Sequence, residues 1–239
     1  CALDRTDEAM REWGVLRYRD LRELGIRSCD MFFLTFVGGV RHYGAGLYYR
    51  SNLDPSPEVL ASRRVNNATL CLLSALHVYR FFKDEPERVW LAIPRSQRRP
   101  LPLVAPLEVI RVSNDLHSTG FTVEYAGGVP VRVTTLVRTA VDCLRFRHKV
   151  GIDVARMVLR VFVLRGVCSP DELIEEARRC RVARVMREEL SQIRPEFKEM
   201  FREQRRKTRR KEPHAIVGAP SVDADQGLDS GRACPGPDD

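Results

Sequence analysis

Tyr18-Arg19-Asp20-Leu21-Arg22-Glu23-Leu24-Gly25, Ser28-Cys29-Asp30-Met31-Phe32-Phe33-Leu34-Thr35-Phe36-Val37-Gly38-Gly39 and Val40-Arg41-His42-Tyr43-Gly44-Ala45-Gly46-Leu47-Tyr48-Tyr49-Arg50 decide the fold. Leu21 and Leu24 share a helical face and Gly25 is a stop, so the spacing predicts a short helix over Tyr18–Leu24. Ser28 is the expected cap of a further helix running to about Val37, ended by Gly38-Gly39. Val40–Tyr43 and Leu47–Arg50 read as strands joined through Gly44-Ala45-Gly46. Upstream, Arg5–Trp13 is a polar helix closed by Gly14. Three short helices followed by a hairpin is winged helix-turn-helix order, and residues 1–50 are assigned to that unit.

Working outward, Pro55 and Pro57 mark residues 51–65 as a linker. A helix is expected over Asn67–Phe82, then strands at Val89–Ile93, Leu107–Val112, Phe121–Tyr125 and Val129–Val133, the last two flanking Ala126-Gly127-Gly128. Helices follow at Leu136–Phe146, Ile152–Leu164, Pro170–Cys180 and Val182–Phe201. Ser169-Pro170-Asp171-Glu172 is a helix start, with a Ser cap, Pro in the first turn and Glu three residues on. The expectation is an α+β protein: the winged unit, then a mixed α/β domain with a helical C-terminal part over residues 66–202. A disordered charged tail is expected over 203–239, where Gly, Pro, Ser and Asp predominate.

The net charge of +8 points to a polyanionic partner. Its distribution is uneven. Residues 1–60 hold 8 Lys/Arg against 9 Asp/Glu, and residues 61–200 hold 24 against 16. The excess therefore lies in the second domain. In the front unit, Arg17, Arg19, Arg27 and Ser28 flank the helices, and Arg41, His42, Tyr43 and Arg50 lie on the hairpin; these are the candidate DNA contacts. The candidate reading helix is mostly apolar, so a protein-interaction module is the alternative. In the second domain, Arg95, Arg98, Arg99 and Arg111, with Arg132, Arg145, Arg147 and Lys149, are expected to form one basic surface.

Five segments together resemble the AbiEi antitoxins of type IV toxin–antitoxin (abortive infection) systems. They are Gly14-Val15-Leu16-Arg17-Tyr18-Arg19-Asp20-Leu21-Arg22-Glu23-Leu24-Gly25-Ile26, Gly44-Ala45-Gly46-Leu47-Tyr48 and Cys71-Leu72-Leu73-Ser74-Ala75-Leu76-His77. Val89-Trp90-Leu91-Ala92-Ile93-Pro94 follows, then Arg138-Thr139-Ala140-Val141-Asp142-Cys143 with Val150-Gly151-Ile152-Asp153. The resemblance covers about residues 10–190. It implies a winged-helix domain that represses its own operon by binding operator DNA, and a C-terminal domain that supplies the antitoxin activity. The implied functional partner is a nucleotidyltransferase toxin, opposed without a stable complex. The chain departs from the family pattern where Phe32, Phe33 and Phe36 replace basic residues on the reading helix, and in the tail after 203.

Enzymatic chemistry is not expected. Ser74 and His77 are three apart on a helix and lack an evident acid, so both read as packing and surface residues. Arg138 and Asp142, four apart, read as an ion pair. Asp115, Glu124 and Asp142 do not form a nuclease spacing, and His117 and His148 are isolated. No metal or cofactor is expected. The seven cysteines include no CxxC pair, which fits a reducing cytoplasm, and no apolar run suits a membrane.

Overall fold

The computed structural model describes residues 2–44, 46–102 and 104–193, with side chains from Asp4 onward. The expected tail, the end of the expected Val182–Phe201 helix and Ala45 lie outside the described residues.

The fold is α+β. Its front part runs α1 (Ala2–Trp13), β1 (Val15–Arg17), α2 (Tyr18–Glu23), α3 (Ser28–Phe36), β2 (Val40–Gly44) and β3 (Leu47–Arg50). The three strands form an antiparallel sheet in the order β1-β3-β2. Met10, Leu16, Leu21, Ile26, Met31 and Val40 close a small core beneath the helices. α2 and α3 begin alike. The Arg17 backbone N–H and guanidinium both donate to Asp20, at 2.9 Å and 2.6–3.0 Å, and Arg27 does the same to Asp30 at 3.1–3.2 Å. An Arg-x-x-Asp clasp thus satisfies the backbone N–H of the residue that opens each helix. Ser28 is not the cap of α3: Arg27 holds that place, and the Ser28 hydroxyl meets the Tyr18 hydroxyl at 3.3 Å.

The proposed linker 51–65 is largely a helix, α4 (Pro57–Arg64), which is a correction to the sequence reading. Pro57 sits in its first turn, where a missing N–H costs nothing, so the residue that suggested a break is a helix start. Val59, Leu60 and Ala61 of α4 are buried against Val15 and Leu47 of the front sheet and against Leu91, Val129 and Val131 behind. The front unit and the second domain therefore share one core. At this joint Gly14 adopts φ +65°, and a Cβ there would lie 2.6 Å from Val129 Cγ2. A side chain is excluded by both backbone and space.

Behind α4 come β4 (Thr69–Leu70), α5 (Leu72–Val78), β5 (Val89–Pro94), β6 (Leu107–Val112), α6 (Asn114–Ser118), β7 (Phe121–Ala126) and β8 (Val129–Thr134). They build a five-stranded sheet, β6-β5-β4-β8-β7. β5 and β6 pair in parallel, as do β4 and β8; the other neighbours are antiparallel. The alternation of strands splits β5 cleanly. Val89, Leu91 and Ile93 face the core shared with α4, whereas Trp90 and Ala92 face the helical layer. That layer comprises α7 (Leu136–Arg145), α8 (Arg147–Val150), α9 (Ile152–Leu164), α10 (Pro170–Arg179) and helical residues 183–193. The expected Ser169 cap is present: its hydroxyl accepts the Glu172 N–H at 3.2 Å while Glu172 accepts the Ser169 N–H at 2.8 Å. The expected Asn67–Phe82 helix divides instead, because Leu72 turns the chain at φ 50° between β4 and α5.

Arg138 is the largest fully buried side chain, 2% exposed, and bridges Asp142 at 2.7 Å and Glu176 at 3.0 Å. The Arg138–Asp142 pair that the spacing predicts lies within α7, and the Glu176 contact ties α7 to α10. No helix among the described residues is long and apolar enough to cross a membrane.

Candidate nucleic-acid interface

The front-unit candidates divide by what the fold does with them. Arg17 is committed to Asp20 and Arg27 to Asp30, so their first role is to start helices. Burial opposes ionisation of Asp20, yet the hydrogen bonds and charge of Arg17 win and hold its carboxyl below the ordinary value. Arg50 reaches Asp7 at 3.5 Å, and His42 stacks on Tyr48 with ring centroids 4.7 Å apart. On the hairpin, Arg41 and Tyr43 are exposed, and Arg41 makes no ion pair among the described residues. A register shift between His42 and Gly44 re-aims this edge. α3 presents Phe32, Phe33 and Phe36 at 74%, 52% and 80% exposure, an apolar face rather than a polar one.

Several of the second-domain candidates are drawn into local partnerships. Arg111 donates to the carbonyls of Arg95 and Gln97, each at 2.7 Å. Lys149 pairs with Glu108 in a pocket floored by Trp90. Arg145 lies over Phe146 and 4.0 Å from Asp142, and Arg147 donates to the Leu144 carbonyl. Arg132 is half-buried, its guanidinium 3.8 Å above the Phe121 ring.

What the fold does bring together crosses the two sets. Arg17 and Arg19, from the start of α2, line a cleft of about 490 Å³ with Arg98 and Arg99, from the loop after β5. Arg64, at the end of α4, is the fifth arginine of that cleft. No carboxylate is among the described lining residues. Arg19 does have a carboxylate nearby, Glu23 at 3.5 Å, and donates to Asn66 Oδ1 at 3.3 Å. Arg64, Arg98 and Arg99 are exposed and form no ion pair among the described residues. A second cleft, about 440 Å³, shares Arg17, Val65 and Asn66 with the first and adds Arg63 and Arg132. Arg63 holds the joint itself, donating to the Val15 carbonyl at 3.0–3.1 Å. Arg63 and Arg64 escape the sequence reading because they sit in the stretch that the two prolines present as a linker. The signal that could have found them is the pair of adjacent arginines closing an apolar Val59-Leu60-Ala61 run.

Ser74 and His77 have separate duties. Ser74 Oγ accepts the Trp90 N–H at 3.0 Å, and His77 Nδ1 meets buried Glu58 at 2.7 Å, pinning α5 to α4. The five described cysteines are free, and Cys29 alone among them is exposed.

No family model matches this chain, and no curated protein matches it. Among solved structures, the RV2827C protein from Mycobacterium tuberculosis aligns over 73% of this chain and 70% of its own, with 16% identity and a TM-score of 0.45.

Proposed function

We propose that the chain is a nucleic-acid-binding regulator: an antitoxin of the AbiEi kind that represses its own operon, with its front unit acting as a winged helix-turn-helix. The observation that carries this reading is the cleft at the start of α2, with five arginines and no described carboxylate in its lining. Arg17 and Arg19 have Asp20 and Glu23 beside them, but Arg64, Arg98 and Arg99 form no ion pair among the described residues; arginines so placed are stabilised by a polyanion, and phosphates supply that charge along a regular backbone. The hairpin adds Arg41 and Tyr43 on the same unit, in the place of a wing. In this reading phosphate contact dominates affinity, and the toxin is a functional opponent rather than a bound partner. No step here requires catalysis or a metal.

A gel shift on the chain's own upstream region tests the proposal. Retardation should fall steeply with salt, and the variant Arg98→Glu/Arg99→Glu should flatten the log–log salt slope by about 2, near one unit for each phosphate no longer neutralised. Absence of any salt-sensitive shift with the upstream region sinks the autorepressor reading.

One observation favours a second reading. The phenylalanine face of α3 suits a protein partner better than base edges. A protein-interaction module would show a stable complex through Phe32 and Phe36 and no shift of the upstream DNA.

A further inference from the structure

We infer that the two clefts form one track for an unpaired nucleic-acid strand, an inference that rests on reading the first cleft as a nucleic-acid surface. The clefts share Arg17, Val65 and Asn66 in their linings, so they lie side by side. Both are cationic: Arg64, Arg98 and Arg99 serve the first, while Arg63 and Arg132 serve the second against one carboxylate among the described lining residues, Glu12.

Charge alone would suit a duplex equally well; the aromatic rings do not. Tyr18 lines the first cleft and Tyr125 the second, where Trp13 also stands with the Arg63 guanidinium 5.7 Å from its ring centroid. Tyr125 is 73% exposed although it stands on a regular strand. Across the ladder Tyr125 pairs with Pro130 and Val123 with Arg132, so these four side chains stand on one face of β7–β8. β7 is the last strand of its sheet, so this face ends at an open edge. An exposed ring beside a half-buried guanidinium with no ion pair among the described residues is a platform for a base with its phosphate alongside. A duplex keeps its bases stacked inside and would offer these rings no π-face. An unpaired strand offers one per nucleotide. The ligand is therefore single-stranded DNA or RNA of a few nucleotides, bound with little sequence preference.

The test uses the full chain and fluorescein-labelled dT12 and rU12, with the upstream duplex in parallel, followed by anisotropy. At least one oligonucleotide should bind, more weakly at higher salt, and which one binds identifies the sugar accepted. Binding should quench the fluorescence of Trp13, since the other tryptophan, Trp90, is buried. Tyr125→Ala should weaken the strand roughly tenfold, Tyr125→Phe should not, and neither should change duplex affinity. Failure of both oligonucleotides to bind, or strand binding indifferent to Tyr125→Ala, overturns the inference and leaves a salt-sensitive duplex shift standing. Strand binding that follows Tyr125, with no duplex shift, upholds the inference and overturns the autorepressor reading.

Discussion

Asp20 is 2% exposed, which for a carboxylate is costly, and Arg17 makes it tolerable by offering a backbone N–H and two guanidinium nitrogens. Its pKa lies below the ordinary 3.8 in the folded chain, so the ionised form contributes stability above that value. That contribution is lost as pH falls through the depressed folded value. Acid melting followed by circular dichroism should show wild type losing stability below about pH 4, and Asp20→Asn should flatten that dependence while costing about 1–2 kcal/mol at neutral pH. Arg138 poses the opposite case of a buried cation between two acids. Arg138→Ala leaves buried Asp142 with only Arg145, 4.0 Å away, while Glu176 keeps Arg179, and should cost about 3–5 kcal/mol by urea denaturation. The cysteines separate by burial, which pushes the Cys168 thiol up to about 12 and the Cys180 thiol to about 11. Brief alkylation of native protein at pH 8, read by mass spectrometry, should label exposed Cys29 and spare Cys168 and Cys180.

At the scale of elements, α4 and the turn at Gly14 make the molecule. Gly14→Ala should cost about 2–4 kcal/mol, from strain at positive φ and from the clash with Val129. The double variant Gly14→Ala/Val129→Ala should show non-additive coupling in a double-mutant cycle; simple additivity would place the cost in the backbone alone. The sequence shows the long elements well. β6 and α9 match their expected ends, and β5, β7 and β8 differ from expectation by one residue, because alternation and apolar stripes repeat often enough to be read. β1 escapes because Val15-Leu16-Arg17 is too short to establish a period. α4 escapes because Pro55 and Pro57 carry the same letters whether they break a helix or begin one. The site is half legible. The arginines are visible one by one, but their meeting depends on α4, the element that the prolines disguise.

For the whole molecule, the relevant unit spans the front sheet, α4 and the five-stranded sheet together, since one apolar cluster includes residues from all three. Residues 1–50 alone should remain unfolded, and Val59→Asp should abolish the thermal transition of front and rear together, reported by Trp13 and Trp90 fluorescence. Two separate transitions would refute the shared core. This sharing also bears on how the chain is made. Val15 is synthesised well before Val129, Val131 and Val133, yet it packs beside them. At typical synthesis rates those partners follow roughly ten seconds later. The front unit is written before the residues that cover it, so the growing chain carries its exposed phenylalanines and a bare sheet face for that interval, a period in which a chaperone has the most to protect.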